Sequence, residues 1–206
     1  LLKKTIAFGW ASAMQQATVQ LGKIGIQAIV NTMGVSVSAA FAVVNRIDDF
    51  AYTPEQNIAH AMTALMAQNK GAKKTDRIKA AFRCGMKIEL IYGIFIFFVC
   101  FFLAHPLMQL FSSDPVVCKH GVTYLKLISL MYLFPAVTNG VQGYFRGIGD
   151  LKITLISSFV NMSVRVIFTT ILVFHFSLQI EALPFSYLAG WIGMLMAEIP
   201  LLLKKF

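Results

Sequence analysis

Between Met66 and Arg83 the chain reads MAQNKGAKKTDRIKAAFR, six cations against the single acid Asp76, with long apolar segments on both sides. A cationic cluster between two membrane spans stays cytoplasmic, because moving clustered lysine and arginine across a bilayer is unfavourable. That placement sets the sense in which every other segment crosses. Hydrophobic residues make up 57% of the chain and charged ones 13%, with a mean hydropathy of +0.70. A soluble domain carries about 25% charged residues. The chain therefore reads as an all-α integral membrane protein.

The formal net charge of +9 does not indicate a nucleic-acid partner. The cations sit in short connectors and form no stripe with interleaved aromatics. Cys84, Cys100 and Cys118 are widely spaced and form no CxxC pair, which points to packing rather than to zinc or a disulfide framework. His60, His105, His120 and His175 occur singly, so metal chemistry and a metal cofactor are not expected. The GxG at Gly147 and Gly149 lacks a third glycine and a preceding strand, and is no dinucleotide fingerprint. With no P-loop and no GxSxG, an enzyme is not expected. The chain opens Leu-Leu-Lys-Lys, without Met or a cleavable signal, as part of a longer polypeptide would.

Six helices are predicted at about 6–33, 35–67, 85–104, 122–145, 153–176 and 182–203, with a basic cytoplasmic linker at 68–83. The first carries Gln15, Gln16, Gln20, Lys23, Gln27 and Asn31. Lipid does not tolerate so many amides all round, so one face must see protein or water. The second would be about 50 Å long as one helix, more than a bilayer core of about 30 Å. Pro54 is its expected kink point. Around that proline lie Asn45, Arg46, Asp48, Asp49, Glu55, Gln56, Asn57 and His60, and ionisable groups at such depth mark a polar pathway or an internal pair. The third helix, rich in Phe and Ile, is the most lipid-like. The fourth holds Pro135, Thr138, Asn139, Gln142 and Tyr144, and the fifth Asn161 and Arg165. Lys3 and Lys4, the basic linker, Arg146 with Lys152, and Lys204 with Lys205 recur at every second connection and so fall on one side, while the connectors on the other side carry Lys119 alone. Both ends of the segment are therefore expected in the cytoplasm of a cell that carries it in its inner, plasma membrane.

Three stretches, QNKGAKKTDRIKAAFR (68–83), GYFRGIGDLK (143–152) and RIDDFAYTPEQNIAHA (46–61), together resemble the multidrug and toxic compound extrusion (MATE) family. The Gln-Asn-x-Gly-Ala start of the basic linker and the Arg-Gly-x-Gly-Asp turn about seventy residues later carry the resemblance, which covers essentially the whole chain. The resemblance implies one six-helix bundle, the carboxy-terminal lobe of a twelve-helix, two-lobe transporter, with a missing amino-terminal six-helix lobe as partner. It also implies an antiporter that moves small organic, often cationic, compounds outward by alternating access as H⁺ or Na⁺ moves inward. Some family branches place an acid in the first and fourth helices of this lobe. Here those helices offer only amides, which points towards a DinF-like bacterial branch or an essential acid in the other lobe.

Coupling needs an acid whose protonation or ion binding changes the balance of two conformations. Asp48 and Asp49 are the leading candidates by depth, with Glu55 next. The plain alternative is an internal pair, Arg46 with Asp49 or Lys23 with Asp49, that only neutralises charge. For substrate, Gln15, Gln16, Asn31, Asn45, Asn139 and Gln142 are the candidate cavity amides, and Tyr52 and Tyr144 the candidate aromatic contacts. Interhelical hydrogen bonding is the alternative role for each. Arg165 reads as an internal counter-charge. Glu89, Glu181 and Glu198 read as boundary carboxylates that snorkel or cap, and the linker as a short amphipathic helix on anionic lipid. A lipid-linked oligosaccharide flippase, which shares a two-lobe architecture, is the other transport reading; it would need a cationic cavity, and only Lys23, Arg46 and Arg165 lie deep enough.

Overall fold

A computed structural model describes residues 2–205, without the side chains of residues 3–5, 7, 8 and 11; the side chains of Lys3 and Lys4 lie outside the described residues. All the regular structure described is helical. α1 (Leu2–Asn31) turns at Gly34, whose φ of 102° suits glycine, into α2 (Val35–Gly71). α2 runs on through Pro54 for about 55 Å.

The linker expected over 68–83 is far shorter. Only Ala72, Lys73 and Lys74 lie outside helices before α3 (Thr75–Phe102) begins. Asp76 in its first turn meets the positive end of the helix dipole, and the Lys, Arg and Ala that follow are good helix formers. The basic residues therefore ride on the ends of two long helices, and no separate amphipathic helix forms.

After the short α4 (Ala104–Gln109) comes α5 (Pro115–Ser129), which starts earlier than the expected 122. The Asp114 carboxylate accepts from the N–H groups of Val116 at 2.7 Å and Val117 at 3.3 Å, and Pro115 takes the first helical position. The fourth expected helix is in fact broken: α5 and α6 (Leu133–Gly147) meet at 53°. Tight i to i+3 bonds at Met131, Tyr132 and Phe134 close the corner, and Pro135 has no N–H with which to extend the ladder back to Met131. α7 (Leu151–Phe174) and α8 (Ala182–Leu203) complete the chain.

α7 packs on α1 and α8, while α2 packs on α3, α5 and α6; α6 joins the two groups by touching α7 and α8. One end of the bundle gathers the α2–α3 turn, the α6–α7 turn and the end of α8. There Lys205 pairs with Asp150 at 2.5 Å and Lys70 donates to the Ile148 carbonyl.

The outward faces of α3, α7 and α8 are apolar, with Ile91, Phe95, Phe98, Phe159, Ile167 and Met196 exposed. Each of these helices is long and apolar enough to cross a membrane, and the bent α5–α6 pair qualifies as a fourth span. α1 and α2 are longer still, but their polar content holds them below that standard. The fold is that of an all-α, multi-pass membrane protein.

Candidate functional site

The polar residues that keep α1 and α2 from reading as simple spans lie largely on uncovered faces. On α2, Arg46, Asp49, Thr53, Gln56 and His60 are exposed at steps of three and four residues, one face of a helix. On α1, Gln16, Gln20, Lys23 and Asn31 are exposed in the same manner. In a bundle whose other outer faces are apolar, such faces belong against water or protein rather than lipid.

Behind the α2 face, Asp48 points inward and is 6% exposed. Its carboxylate accepts a 2.5 Å hydrogen bond from the Tyr132 hydroxyl, at the corner between α5 and α6. Tyr52, half-buried, meets Tyr132 edge-on at 5.9 Å and lies 6.5 Å from Trp191. Trp191 in turn meets Tyr187 edge-on, and the Arg165 guanidinium stacks 3.3 Å over the Tyr187 ring. Arg165 and Lys23 both act electrostatically on Asp48. Arg165 is thus internal, buried against an aromatic face and near an acid. The 3.3 Å stacking depends on Gly190: a β-carbon there would stand 2.4 Å from Arg165 Cγ.

Neither suggested pair of Asp49 with Arg46 or Lys23 forms. Among the described residues the one ion pair is Lys205 with Asp150. Both Arg46 and Asp49 point away from the packed interior, so the helix directs their charges outward.

A second polar group lies nearer the basic end. The buried Gln142 amide donates to Ser158 at 3.2 Å and to Glu198 at 3.4 Å; its oxygen accepts from Gln15 at 3.2 Å and Arg146 at 2.5 Å. Ser157 donates to the same Glu198 oxygen at 2.6 Å. These bonds tie α1, α6, α7 and α8 together. Farther along α6, Asn139 donates to Glu55 at 3.4 Å.

The structure therefore sorts the candidate residues by environment. Gln16, Asn31 and Asp49 lie on the exposed faces, and Asn31 accepts from Gln27 at 2.8 Å. Asn45 and Tyr52 are half-buried at the edge of that face. Gln15, Asn139 and Gln142 join helices to one another. Tyr144 is buried between Phe82 and Phe145, with ring centroids 5.3 and 5.5 Å away. Glu89 and Glu198 are fully buried rather than snorkelled at a boundary. Both face neighbouring helices.

Sequence reasoning passed over Tyr132, Trp191 and the interior position of Glu89. For Glu89 a signal existed: Gly85 and Gly93 flank it at one helical turn each on an otherwise bulky helix, the mark of a closely packed face.

A family model described as MatE matches residues 11–171. The chain is 22% identical, over 94% of its length and 40% of the relative's, to "Probable multidrug resistance protein NorM" of Thermotoga maritima. It is 25% identical over the same shares to "Probable multidrug resistance protein YoeA" of Bacillus subtilis. Among solved structures, an outward-facing multidrug resistance MATE family transporter of the MOP superfamily superposes with a TM-score of 0.92 at 13% identity, over 98% of this chain and 45% of that one. The chain thus spans less than half the length of the transporters that it matches.

Proposed function

The chain belongs to the MatE family, a family of transporters rather than enzymes, and on that premise we propose that it is the carboxy-terminal six-helix lobe of a cation-coupled antiporter. That transporter exports organic, often cationic, compounds by alternating access, with H⁺ or Na⁺ moving the other way. A second six-helix lobe faces α1 and α2, and the basic end of the bundle lies in the cytoplasm of a cell carrying it in its plasma membrane.

One observation carries this reading: the polar faces of α1 and α2 are uncovered in a lobe whose other outer faces suit lipid. Between two such lobes they form the wall of a hydrated cavity. Gln16, Asn31 and Asn45 offer hydrogen bonds there, Tyr52 an aromatic edge, and Asp49 a negative charge for a cationic substrate.

Asp48 is the acid placed to couple. It lies one residue from the cavity face and is bonded to the α5–α6 corner, so a change in its charge alters contacts among α2, α6 and α7. An ion drives a conformational cycle only by binding one state more tightly than the other, and a buried acid hydrogen-bonded to the corner of a bent helix pair is placed to meet that requirement.

The test is drug and ion flux in vesicles holding the full-length protein. Asp48→Asn should abolish flux driven by an ion gradient with normal expression. Asp49→Asn should weaken uptake of cationic substrates and spare neutral ones. Full gradient-driven flux in Asp48→Asn would move the coupling acid elsewhere.

A further inference from the structure

The turn that joins α2 to α3 is shaped by a lysine in an uncommon conformation. Lys73 has a φ of 56°, the left-handed region where a helix end normally places glycine. Its N–H donates to the Lys70 carbonyl at 3.0 Å, and the Lys74 N–H donates to that of Asn69 at 2.9 Å, the two bonds that close a helix and reverse the chain. α3 therefore starts alongside the last turns of α2.

Between the two helices a groove of about 590 Å³ lies open, lined by Leu65, Gln68, Lys74, Arg77, Ala81 and Cys84 among others. Its cations, Lys74 and Arg77, are exposed, and neither forms an ion pair among the described residues. Asp76, the one acid between residues 66 and 83, stands about 100° round the helix from Arg77.

The groove continues beyond its polar residues. On α3, Arg77, Ala80, Cys84, Ile88, Ile91 and Phe95 are exposed at steps of three and four, which places them in one stripe along the helix. From Cys84 to Phe95 that stripe is apolar and about 16 Å long, the depth of one leaflet in a bilayer core of about 30 Å. Arg77 stands two turns before Cys84. Lys87, exposed beside the stripe, has a stem long enough to return its ammonium to the same polar layer.

A cationic mouth at the end of an apolar track one leaflet long has the shape of a phospholipid. Arginine grips a phosphate with a two-pronged fork, and lysine adds a point charge. A zwitterionic headgroup brings its own ammonium, which Lys74 and Arg77 repel. An acidic peptide or a nucleic acid would match the charge of the mouth but make no use of the track.

We propose that the α2–α3 groove binds one anionic phospholipid from the leaflet at the basic end of the bundle. Lys74 and Arg77 hold its phosphate, and a chain lies along Cys84, Ile88, Ile91 and Phe95. The contact with anionic lipid expected of an amphipathic linker falls to this groove instead. The site rests on the membrane setting of the fold, and on neither export nor a coupled ion.

Cys84 makes the site readable, since it lines the groove and is the one exposed thiol among the described residues. Full-length protein, stripped of lipid in detergent, is treated with N-ethylmaleimide, and modification is read from the mass of the peptide that carries Cys84. Phosphatidylglycerol should slow the reaction, whereas phosphatidylcholine at the same mole fraction and soluble glycerol phosphate should not. Lys74→Gln and Arg77→Gln should each raise the half-protecting fraction of phosphatidylglycerol about fivefold, and together about 25-fold. The double variant should also retain one phosphatidylglycerol fewer in the native mass spectrum. Arg83→Gln with Lys204→Gln takes as much charge from exposed positions outside the groove and should leave protection nearly unchanged. Equal protection by phosphatidylcholine, protection by glycerol phosphate, or an equal loss in the Arg83 and Lys204 variant would overturn the proposal. So would a Cys84 that stays unreactive in lipid-stripped protein, because the groove would then be covered by protein. No flux is measured, so failure here is distinct from failure of the export reading.

Discussion

Tyr132 donates a 2.5 Å hydrogen bond to Asp48, and the two residues stand 84 positions apart. The same offset joins Glu55 to Asn139 and sets the backbones of Ala59 and Thr63 against Gly143 and Gly147. A constant offset means that α2 and α6 run parallel in one register. At one end the contact is an acid held by a phenol, midway an acid held by an amide, and towards the basic end backbone against glycine. Movement of α6 relative to α2 must therefore change the surroundings of both acids together, which links the charge state of the lobe to its shape.

The Asp48 contact can be probed from the tyrosine side. Tyr132→Phe keeps the ring against Tyr52 and removes only the hydroxyl, leaving a buried carboxylate short of a donor worth about 1.5–3 kcal/mol. We expect gradient-driven flux in full-length protein to fall about tenfold or more, while substrate exchange without an ion gradient changes far less. Equal loss of both would assign Tyr132 to the cavity wall and not to the acid.

The helices were legible in the sequence because apolar runs of span length have few other uses, and the polar load of α1 and α2 was legible as content. Direction was harder to read. Asp48 and Asp49 are neighbours in sequence with opposite fates, since a step of one residue turns the helix through about 100°. Gln142 and Gln16 look alike in composition, yet one is a buried hub and the other an exposed amide. Tyr132 could not be foreseen because its partner lies on another helix, in a register set by packing. The corner at Leu130–Tyr132 was hidden for a similar reason: Pro135, the one local breaker, acts on a carbonyl four residues earlier.

The glycine contacts between α2 and α6 should be the least forgiving in the lobe. A β-carbon at Gly143 would stand 2.8 Å from the Ala59 carbonyl oxygen, and one at Gly147 would stand 3.0 Å from that of Thr63. Backbone cannot move aside as a flexible side chain can. Gly143→Ala and Gly147→Ala should each destabilise the protein by about 1–3 kcal/mol and lower its melting midpoint. Gly71→Ala, where nothing lies within 4 Å, should be nearly neutral.

Arg165 offers a test of internal charge. Gly190→Ala would press on Arg165 Cγ and displace the guanidinium from the Tyr187 ring. A desolvated cation over an aromatic face contributes about 2 kcal/mol, so the variant should lose stability on that order. If the strain acts through the arginine, Arg165→Met combined with Gly190→Ala should cost less than the two changes summed, as residues in contact are not additive. Strict additivity would show that the glycine serves α7–α8 packing alone.

The final test separates the two kinds of exposed surface. In the isolated lobe, Asp49 and Gln56 on α2 and Ile91 and Phe95 on α3 are all exposed, yet their chemistry predicts water beside the first pair and lipid beside the second. A charged, membrane-impermeant thiol reagent reads this difference, because it reacts only where water reaches. In full-length protein carrying Cys84→Ser, which removes the one exposed native thiol among the described residues, Asp49→Cys and Gln56→Cys should be labelled and protected by bound substrate. Ile91→Cys and Phe95→Cys should stay unlabelled in a bilayer and become reactive only on unfolding. Labelling of the α3 positions in native membranes, with silence at Asp49 and Gln56 from both sides, would invert the assignment of cavity and lipid faces and remove the footing of the export reading.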